Sequence, residues 1–326
     1  MKAVYIASFG GAEKLEIRDV PDPPPPKGTE VLIRVRAAGV NRADLLQRQG
    51  LYPPPAGYSP NIPGLEFAGD VIEAGEQAGE WKAGDPVFGI TAGEAQAEKL
   101  TVDASLVARI PAGLDFEQAA AVPEAFITAH DAVMTQGELK QGEVLMVNAA
   151  GSGVGLAAIQ LAKAIGAKVI GTSRTAGKLE RCREFGLDEE VLTAEPGDLE
   201  DHADENAETV DVILDLVGAA FFGANLTLLR PKGRLLLIGL TSGRKAEFDL
   251  SVALRKRLKI VGSVLRSRSL EEKGAAVRAF SAEVLPFFEK GILRPNLDRV
   301  FDAVDVREAH EFMAANRNFG KLVLRF

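Results

Sequence analysis

The sequence contains little sulfur and few imidazoles. Its 326 residues include one cysteine, Cys182, and three histidines, His130, His202 and His310. A single cysteine excludes both an intrachain disulfide and a four-cysteine structural zinc site. The histidines are far apart in the chain and lack the short spacings of metal ligands. The composition fits a reducing compartment, and we predict no metal site.

Positive charge and long apolar runs are also lacking. The chain has 38 Lys and Arg against 46 Asp and Glu, a net charge of −8. A general nucleic-acid binder needs a clustered positive surface, so we expect no nucleic-acid partner. No stretch approaches the roughly 18 to 20 apolar residues of a membrane span, and the N-terminus lacks the apolar run of a signal peptide. We therefore expect a cytoplasmic protein with no membrane partner.

The chain changes character near Pro123. Before it, short alternating segments such as VLIRVRA at 31–37 predict half-buried strands separated by proline-rich and glycine-rich turns. After it, strands and helices alternate, which predicts a parallel sheet with helices on both faces. From about Val264 the pattern predicts one long helix at Leu270–Phe288, then a strand, a short helix and a last strand at Lys321–Leu324.

A glycine-rich turn follows the first strand of this alternating region. Residues 144–155 read VLMVNAAGSGVG, and an amphipathic helix continues from them. Backbone amides can approach a dinucleotide pyrophosphate closely where side chains are absent, so we predict cofactor contacts here. The predicted residues are Gly151, Ser152, Gly153, Val154 and Gly155. The spacing departs from the strict G-x-G-x-x-G pattern, and a tight turn that only packs on itself is the alternative.

The end of the second strand predicts which cofactor binds. NAD-preferring sites usually place a carboxylate there, but this chain has Ser173 and Arg174, with Lys178 one turn later. A hydroxyl and two cations suit a 2′-phosphate, and one charge-assisted hydrogen bond is worth about 1.5–3 kcal/mol. The sequence therefore predicts NADPH rather than NADH. The alternative is a solvated helix start, although positive charge there opposes the helix dipole.

At this point the chain resembles the zinc-free quinone oxidoreductases of the medium-chain dehydrogenase/reductase superfamily, in the branch of the tumour-suppressor-inducible human enzyme. The resemblance covers essentially the whole chain. It is carried by NRADLLQRQGLYPPP (41–55), AAAVPEAFITA (119–129), AAGSGVG (149–155), VLRSRS (264–269) and EAHEFMAANRNFGKLVL (308–324). It implies an α/β fold with a Rossmann doubly wound parallel sheet at 123–263. It also implies a GroES-like, β-rich catalytic domain at 1–122, completed by 264–326.

The same resemblance bears on the metal and on the chemistry. Zinc-dependent members place a cysteine and a histidine where this chain has Asn41 and Leu65, neither of which suits tetrahedral zinc. Alcohol oxidation passes through an alkoxide, which is poorly stabilised without a Lewis acid such as zinc. Quinones and activated alkenes accept hydride more easily, because their conjugated carbonyl groups delocalise the negative charge. We predict Asn41 and Tyr52 as catalytic groups, with Asp44 orienting them. The alternatives are structural roles. Asn41 would cap the helix that begins at Arg42, the carboxylate of Asp44 would interact favourably with the dipole in the first turn of that helix, and Tyr52 would only pack against its own loop.

Further cofactor contacts follow from the resemblance alone. It implies that Thr128 faces the nicotinamide and that Asn318 approaches the adenosine end. The remaining implied contacts are Leu240, Thr241, Leu265, Arg266 and Ser267. One departure concerns the third Rossmann strand, after which many relatives carry a nucleotide-contacting tyrosine. Thr193 stands there in this chain.

The combined interpretation is an NADPH-dependent, metal-free quinone oxidoreductase whose partner is a small quinone or activated alkene. Two alternatives stay open: an NADPH-dependent enone or alkenal reductase, and a cofactor-bound structural or RNA-binding protein with little turnover. The resemblance also implies a homodimer that pairs Rossmann edges. The apolar strand near 260–264 is either such an edge or an internal strand.

Overall fold

A computed structural model describes residues 1–195 and 197–326. The strands are β1 (Lys2–Ile6), β2 (Leu15–Asp19), β3 (Glu30–Val40), β4 (Glu66–Ala74), β5 (Pro86–Ile90), β6 (Lys99–Asp103), β7 (Val107–Arg109), β8 (Val144–Val147), β9 (Lys168–Ser173), β10 (Glu189–Leu192), β11 (Val210–Asp215), β12 (Leu229–Leu237), β13 (Lys259–Gly262), β14 (Leu297–Asp302) and β15 (Lys321–Arg325). The helices are α1 (Arg42–Arg48), α2 (Phe116–Ala120), α3 (Pro123–His130), α4 (Gly153–Ala164), α5 (Ala176–Cys182), α6 (Asp198–Glu205), α7 (Phe222–Leu228), α8 (Leu250–Lys256), α9 (Leu270–Glu283), α10 (Leu285–Glu289) and α11 (Val306–Ala314).

The chain forms two compact units. The first, called the catalytic unit below, contains Met1–Ile127 and Leu265–Phe326, and the second, the Rossmann unit, contains Thr128–Val264. The first division falls inside α3, close to the predicted boundary at 122/123. The second lies next to the predicted boundary at 263/264. The α/β class with one parallel sheet and one β-rich unit is as predicted.

The catalytic unit is built around β3. Its alternating side chains put Val31, Ile33 and Val35 in the core, almost fully buried, while Arg34 and Arg36 face solvent. The sheet order is β14-β15-β3-β4-β5-β7, with β6 also paired to β3. The last strand, β15, runs antiparallel to β3 with Leu322 opposite Val40. This register brings the start of β15 to the end of β3, where α1 begins.

The Rossmann unit is a six-stranded parallel sheet of order β10-β9-β8-β11-β12-β13. The strand order reverses between β8 and β11, and ligands of such sheets bind beyond the carboxyl ends of the strands at that point. Apolar side chains such as Met146, Ile170 and Ile213 pack in one core cluster beneath the helices. The predicted strand near Ile260 is β13, which lies at the sheet edge rather than inside it.

Two helices differ from the sequence prediction. The helix predicted at Leu270–Phe288 is broken at Val284 into α9 and α10. Pro286 explains the break, because it lacks an N–H and its ring clashes with the carbonyl four residues earlier. The helix predicted from Lys178 starts earlier, at Ala176, and ends in a short 3₁₀ turn at Arg183–Phe185. In the described ranges, no helix combines the length and apolar character that membrane crossing requires.

Candidate functional site

Helix α1 positions most of the polar groups of the catalytic unit. It begins after Asn41, whose backbone N–H donates to Asp44 Oδ2 at 2.7 Å. The other partners of Asp44 come from distant segments: Gly64 N donates to Oδ1 at 3.1 Å and Gln96 Nε2 to Oδ2 at 3.2 Å. Asp44 is fully buried, and burial raises its pKa to about 6 against these stabilising bonds. Its side chain therefore joins the start of α1 to two neighbouring loops.

A buried ammonium lies against Asn41. Lys321 Nζ, on β15, is 2.5 Å from both Asn41 Oδ1 and Glu66 Oε1, and it donates to the Val40 carbonyl at 3.1 Å. Asn41 Nδ2 donates to the same Glu66 oxygen at 2.8 Å. Lys321 and Glu66 are almost completely buried. The amide of Asn41 is thus held in one orientation by an ion pair, since its oxygen faces the cation and its nitrogen faces the carboxylate.

This arrangement does not fit a catalytic zinc. Zinc takes thiolate, imidazole or carboxylate ligands in tetrahedral geometry. Asn41 supplies an amide already bonded on both sides, Leu65 supplies an apolar side chain, and Lys321 adds a positive charge beside them. The parts of the chain that the structure describes hold no cluster of three or more His, Cys, Asp or Glu side chains suited to a metal ion.

Glu124 is a carboxyl group that the sequence analysis did not single out. Its backbone N–H, in the first turn of α3, donates to Glu66 Oε2 at 2.8 Å. Burial, and then the nearby negative charge of Glu66, raise the pKa of the Glu124 carboxyl to about 8, while Lys321 opposes this. At neutral pH Glu124 is therefore mostly a neutral acid that can donate a proton. Glu124 lies in the segment AAAVPEAFITA, which supports the family resemblance. No local sequence pattern, however, reveals that the pKa of its carboxyl group is raised.

Tyr52 is held in place by Arg266, which lies 214 positions later in the chain. Arg266 Nη1 donates to the Tyr52 carbonyl at 3.1 Å, and its guanidinium carbon lies 5.0 Å from the Tyr52 ring centroid. Arg266 Nε donates to the Ala92 carbonyl at 2.8 Å, and Nη2 bonds to Gln47 Oε1 at 2.5 Å. Burial raises the pKa of the Tyr52 phenol, and the positive charge of Arg266 partly offsets that rise. Among the described residues the phenol hydroxyl has no hydrogen-bond partner.

The structure thus uses Arg266 inside the catalytic unit. The resemblance implies that Arg266 contacts the cofactor, and that role stays a prediction; in the structure three of its nitrogens bond to this unit. Gln47, which sequence reasoning missed, lies one turn after Asp44 on α1 and links the arginine to that helix.

The other predicted cofactor contacts of the C-terminal segment differ in exposure, since Leu265 is buried and Ser267 is exposed. Asn318 Nδ2 donates to the Gly320 carbonyl, within its own segment.

In the Rossmann unit, the glycine-rich turn lies between β8 and α4. Ser152 is the N-cap of α4, and its hydroxyl accepts from Gly155 N at 3.0 Å. A Cβ on Gly155 would lie 2.6–2.7 Å from the carbonyl oxygens of Ala150 and Ala149, so only glycine fits there. The turn therefore packs tightly and also presents a helix N-terminus, which favours anions. The tight packing is observed, and the cofactor contacts of residues 151–155 stay a prediction.

A buried network behind the turn was not anticipated from the sequence. Asp215, at the carboxyl end of β11, accepts from Val217 N and from Asn148 Nδ2. Asn148 also donates to Asn225 Oδ1 at 2.9 Å and accepts from Thr172 Oγ1 at 3.3 Å. These groups connect the ends of three strands and fix the backbone that leads into the turn. Four polar residues scattered over the sequence carry no local pattern, which is why they were missed.

The predicted phosphate cluster lies at the end of β9. Ser173 is largely buried and its hydroxyl accepts from Thr175 N at 3.2 Å, whereas Arg174 is exposed. Lys178 is half-buried within α5. Thr193 lies beside them, because its N–H donates to the Ser173 carbonyl at 2.9 Å. The three predicted residues therefore share one strand end and the helix that follows.

Three further residues of this unit are predicted to contact the cofactor: Thr128, Leu240 and Thr241. Of these, Thr128 has a buried hydroxyl oxygen, Oγ1, without a hydrogen-bond partner in the described structure. A buried hydroxyl of this kind costs free energy unless a bound molecule or water pairs with it. Leu240 and Thr241 follow β12 at the carboxyl edge of the sheet, and both are exposed. Their position fits the edge where dinucleotides bind.

Comparison with known proteins identifies the family. Residues 27–132 match the model of the alcohol dehydrogenase GroES-like domain, and residues 153–282 match that of the zinc-binding dehydrogenases. A quinone oxidoreductase of Pseudomonas aeruginosa is 32% identical over 99% of this chain and 99% of its own length. The crystal structure of Escherichia coli quinone oxidoreductase complexed with NADPH is 28% identical, with a TM-score of 0.86 and full coverage of both chains.

One relative is much longer than this chain. The pikromycin polyketide synthase component PikAII of Streptomyces venezuelae is 36% identical over 98% of this chain, which spans only 8% of the length of that relative. The full-length match to the Pseudomonas enzyme, together with both domain models, is sufficient to assign the superfamily. The chain belongs to the medium-chain dehydrogenase/reductase superfamily and is a relative of its quinone oxidoreductases.

Proposed function

We propose that this protein is an NADPH-dependent reductase that transfers hydride to quinones without a metal ion. The observation that carries the proposal is the contact of Lys321 with Asn41 and Glu66. By the resemblance, Asn41 and Leu65 stand where zinc-dependent members place a cysteine and a histidine, and the ammonium of Lys321 lies against Asn41. Alcohol oxidation then lacks its Lewis acid, whereas a quinone delocalises the incoming negative charge over its own conjugated carbonyls.

The Rossmann unit supplies the groups that hold the cofactor. The N-terminus of α4 and the backbone of residues 151–155 suit the pyrophosphate, while Ser173 and Arg174 suit the 2′-phosphate. The unpaired hydroxyl of Thr128 would hydrogen-bond the nicotinamide carboxamide. Bound NADPH supplies the hydride. The NADPH complex of the Escherichia coli relative supports this choice of cofactor.

The catalytic unit supplies the groups that act on the acceptor. The phenol of Tyr52 has a free hydroxyl and a fixed backbone, so it would donate a hydrogen bond to the acceptor oxygen as charge develops there. Asn41, with its amide held by Lys321 and Glu66, keeps one N–H for a second hydrogen bond. Asp44 acts as a positioning residue, because its carboxylate oxygens already accept three hydrogen bonds.

A panel of acceptors tests the proposal. NADPH consumption should be measured with ortho-quinones, para-quinones and enones, and NADPH formation from NADP⁺ should be measured with simple alcohols, each with and without EDTA. We expect turnover of quinones, none of alcohols, and no effect of the chelator. Activity lost to EDTA and restored by zinc would refute the metal-free mechanism. Tight NADPH binding without turnover of any acceptor would instead favour a structural or RNA-binding role.

Glu124 favours a second candidate, the reduction of enones. Reducing a carbon–carbon double bond requires a proton on carbon after hydride transfer, and a carboxyl group that is neutral at pH 7 can provide one. Quinone reduction places its protons on oxygen and needs no such acid. If enones are turned over, Glu124→Gln should slow them more than it slows quinones.

We further propose a homodimer that pairs the two copies of β13. Edge strands expose unpaired backbone groups, and Ile260 and Val264 at this edge are 38% and 48% exposed. Leu250 and Leu254, one turn apart on neighbouring α8, are more than 70% exposed. Sedimentation of the wild type and of Ile260→Lys tests this: the variant should be monomeric, and an unchanged dimer would place the interface elsewhere.

A further inference from the structure

The catalytic unit contains a cavity separate from the Tyr52 hydroxyl and the Asn41 cluster. It is a depression open to solvent, with a volume of about 750 Å³. Segments 27–30, 55–58, 101–106 and 268–273 line it. The walls combine apolar groups with an aromatic ring, since Pro55, Leu106, Leu270 and Tyr58 all contribute.

Lys273 is the unusual member of this lining. It lies in the first turns of α9 and is only 7% exposed, yet its ammonium forms no hydrogen bond or ion pair with any described residue. Burial lowers its pKa, and the carboxyl of Glu124 is the charge that acts in the opposite direction. Because Glu124 is mostly protonated at neutral pH, it does not neutralise this cation. The ammonium of Lys273 reaches solvent where the residue lines the cavity, so a ligand anion can contact it there.

The other charged groups of the lining leave a positive excess. Lys27 and Arg268 are cations of the lining, and Glu30 and Asp103 are its carboxylates. Both carboxylates have internal partners: Glu30 accepts from the backbone N–H of Lys27, and Asp103 accepts from the side chains of Thr29 and Ser105. Neither carboxylate forms an ion pair with Lys273. The lining carries three cations against two carboxylates, and the ammonium of Lys273 has no hydrogen bond or ion pair with a described residue.

We propose that this cavity binds a small organic anion, a carboxylate or a phosphate monoester with a flat apolar body. Lys273 receives the anionic group, and the ring of Tyr58 and the neighbouring apolar side chains cover the body. The site does not depend on hydride transfer. Its occupant contacts segment 55–58, three residues after Tyr52, so binding would also order the loop that carries the phenol.

Calorimetric titration tests the proposal with three probes of similar shape: benzoate, phenyl phosphate and the neutral benzamide. The protein is kept saturated with NADPH, so that phosphate groups do not bind in the Rossmann unit. Whichever of benzoate and phenyl phosphate binds more tightly identifies the preferred anion. Benzamide should bind at least about tenfold more weakly, since it lacks the charge that pairs with Lys273.

Three variants assign the binding to Lys273. Lys273→Met should weaken anion binding about tenfold or more, Lys273→Arg should retain it within about threefold, and the exposed Lys290→Met should leave it unchanged. Without anion, Lys273→Met should be at least as heat-stable as the wild type, because the ammonium makes no hydrogen bond or ion pair that the change would remove. Equal binding of benzamide, unchanged affinity in Lys273→Met, absence of binding by both anions, or a lowered melting temperature of that variant would each overturn the proposal.

Discussion

Arg266 holds Tyr52 by two contacts at once. Its Nη1 donates to the Tyr52 carbonyl at 3.1 Å, and its guanidinium carbon lies 5.0 Å from the centre of the phenol ring. The same guanidinium bonds to Gln47 on α1, so the loop that carries the phenol is tied to the helix that carries Asp44. A side chain on a proline-flanked loop thereby gains a fixed position.

Arg266→Met should lower kcat while leaving NADPH binding intact. Loss of the three hydrogen bonds frees the Tyr52 loop, and displacing a catalytic group by about 1 Å costs about a hundredfold in rate. Steady-state kinetics with a quinone, together with fluorescence titration of NADPH, separates the two effects. The exposed Arg278→Met serves as the control. A large rise in the NADPH Kd with kcat preserved would show instead that Arg266 contacts the cofactor.

Tyr52→Phe should reduce kcat/KM for quinones by about ten- to a hundredfold, because one hydrogen bond to the developing oxyanion is lost. The Kd of NADPH should stay within about twofold, since the change leaves the Rossmann unit untouched. Tyr5→Phe, on β1, is the matched control. Full activity of Tyr52→Phe would reduce Tyr52 to a packing residue of its loop.

Arg174→Ala should weaken NADPH binding by about ten- to a hundredfold and leave NADH binding unchanged. The exposed guanidinium follows Ser173 at the end of β9, where we propose that it binds the 2′-phosphate of NADPH. Competition titrations with both cofactors measure the ratio. Arg181→Ala, at the other end of α5, is the control. If Arg174→Ala weakened both cofactors equally, the arginine would not select between them.

The contribution of Glu124 to the free energy of unfolding should fall as pH rises from about 4.5 to about 8, whereas His310, whose pKa burial lowers from 6.5 to about 3, contributes with the opposite sign between these two values. The folded state raises the pKa of Glu124 from 4.5 to about 8, so over this range the folded protein keeps a proton that the unfolded chain releases. Asp44, with a pKa raised from 3.8 to about 6, contributes with the same sign at the acidic end.

Urea denaturation between pH 5 and pH 9 measures this dependence. Glu124→Gln should match the wild type near pH 5 and exceed its stability above pH 8, because glutamine releases no proton. Glu271→Gln, an exposed residue of α9, should retain the wild-type profile. A Glu124→Gln profile as steep as that of the wild type would mean that other groups cause the pH dependence.

Lys321→Met should destabilise the catalytic unit by about 3–5 kcal/mol, because it leaves the buried carboxylate of Glu66 without its cation. The double variant Lys321→Met/Glu66→Gln should recover part of that loss, since no unpaired charge remains. Denaturation of the wild type, Lys321→Met, Glu66→Gln and the double variant gives the coupling energy between the two residues. A cost below about 1 kcal/mol for Lys321→Met would contradict a buried, interacting pair.

Local patterns in the sequence were enough to predict several features. The alternation of strands and helices after Pro123 predicted a parallel sheet, and the glycine-rich turn before α4 was recognisable from neighbouring residues. The cluster of Ser173, Arg174 and Lys178 lies within six consecutive positions, so a strand end and the next helix necessarily bring it together. Periodicity did not reveal the break in the helix predicted at Leu270–Phe288, although Pro286 was a visible signal.

The sequence by itself determined the fold class and the glycine-rich turn, because each depends on residue types within a short span, and the resemblance located Asn41 and Leu65 at the zinc-ligand positions. Tertiary structure decided the partners of the candidate catalytic residues. Lys321 reaches Asn41 across 280 positions and Arg266 reaches Tyr52 across 214. Those contacts follow from the register of β15 on β3 and from the return of the C-terminal segment. Which residues become neighbours at such separations depends on the long-range pairing of segments. Neither these contacts nor the pKa shifts that burial produces can be predicted from a local sequence pattern.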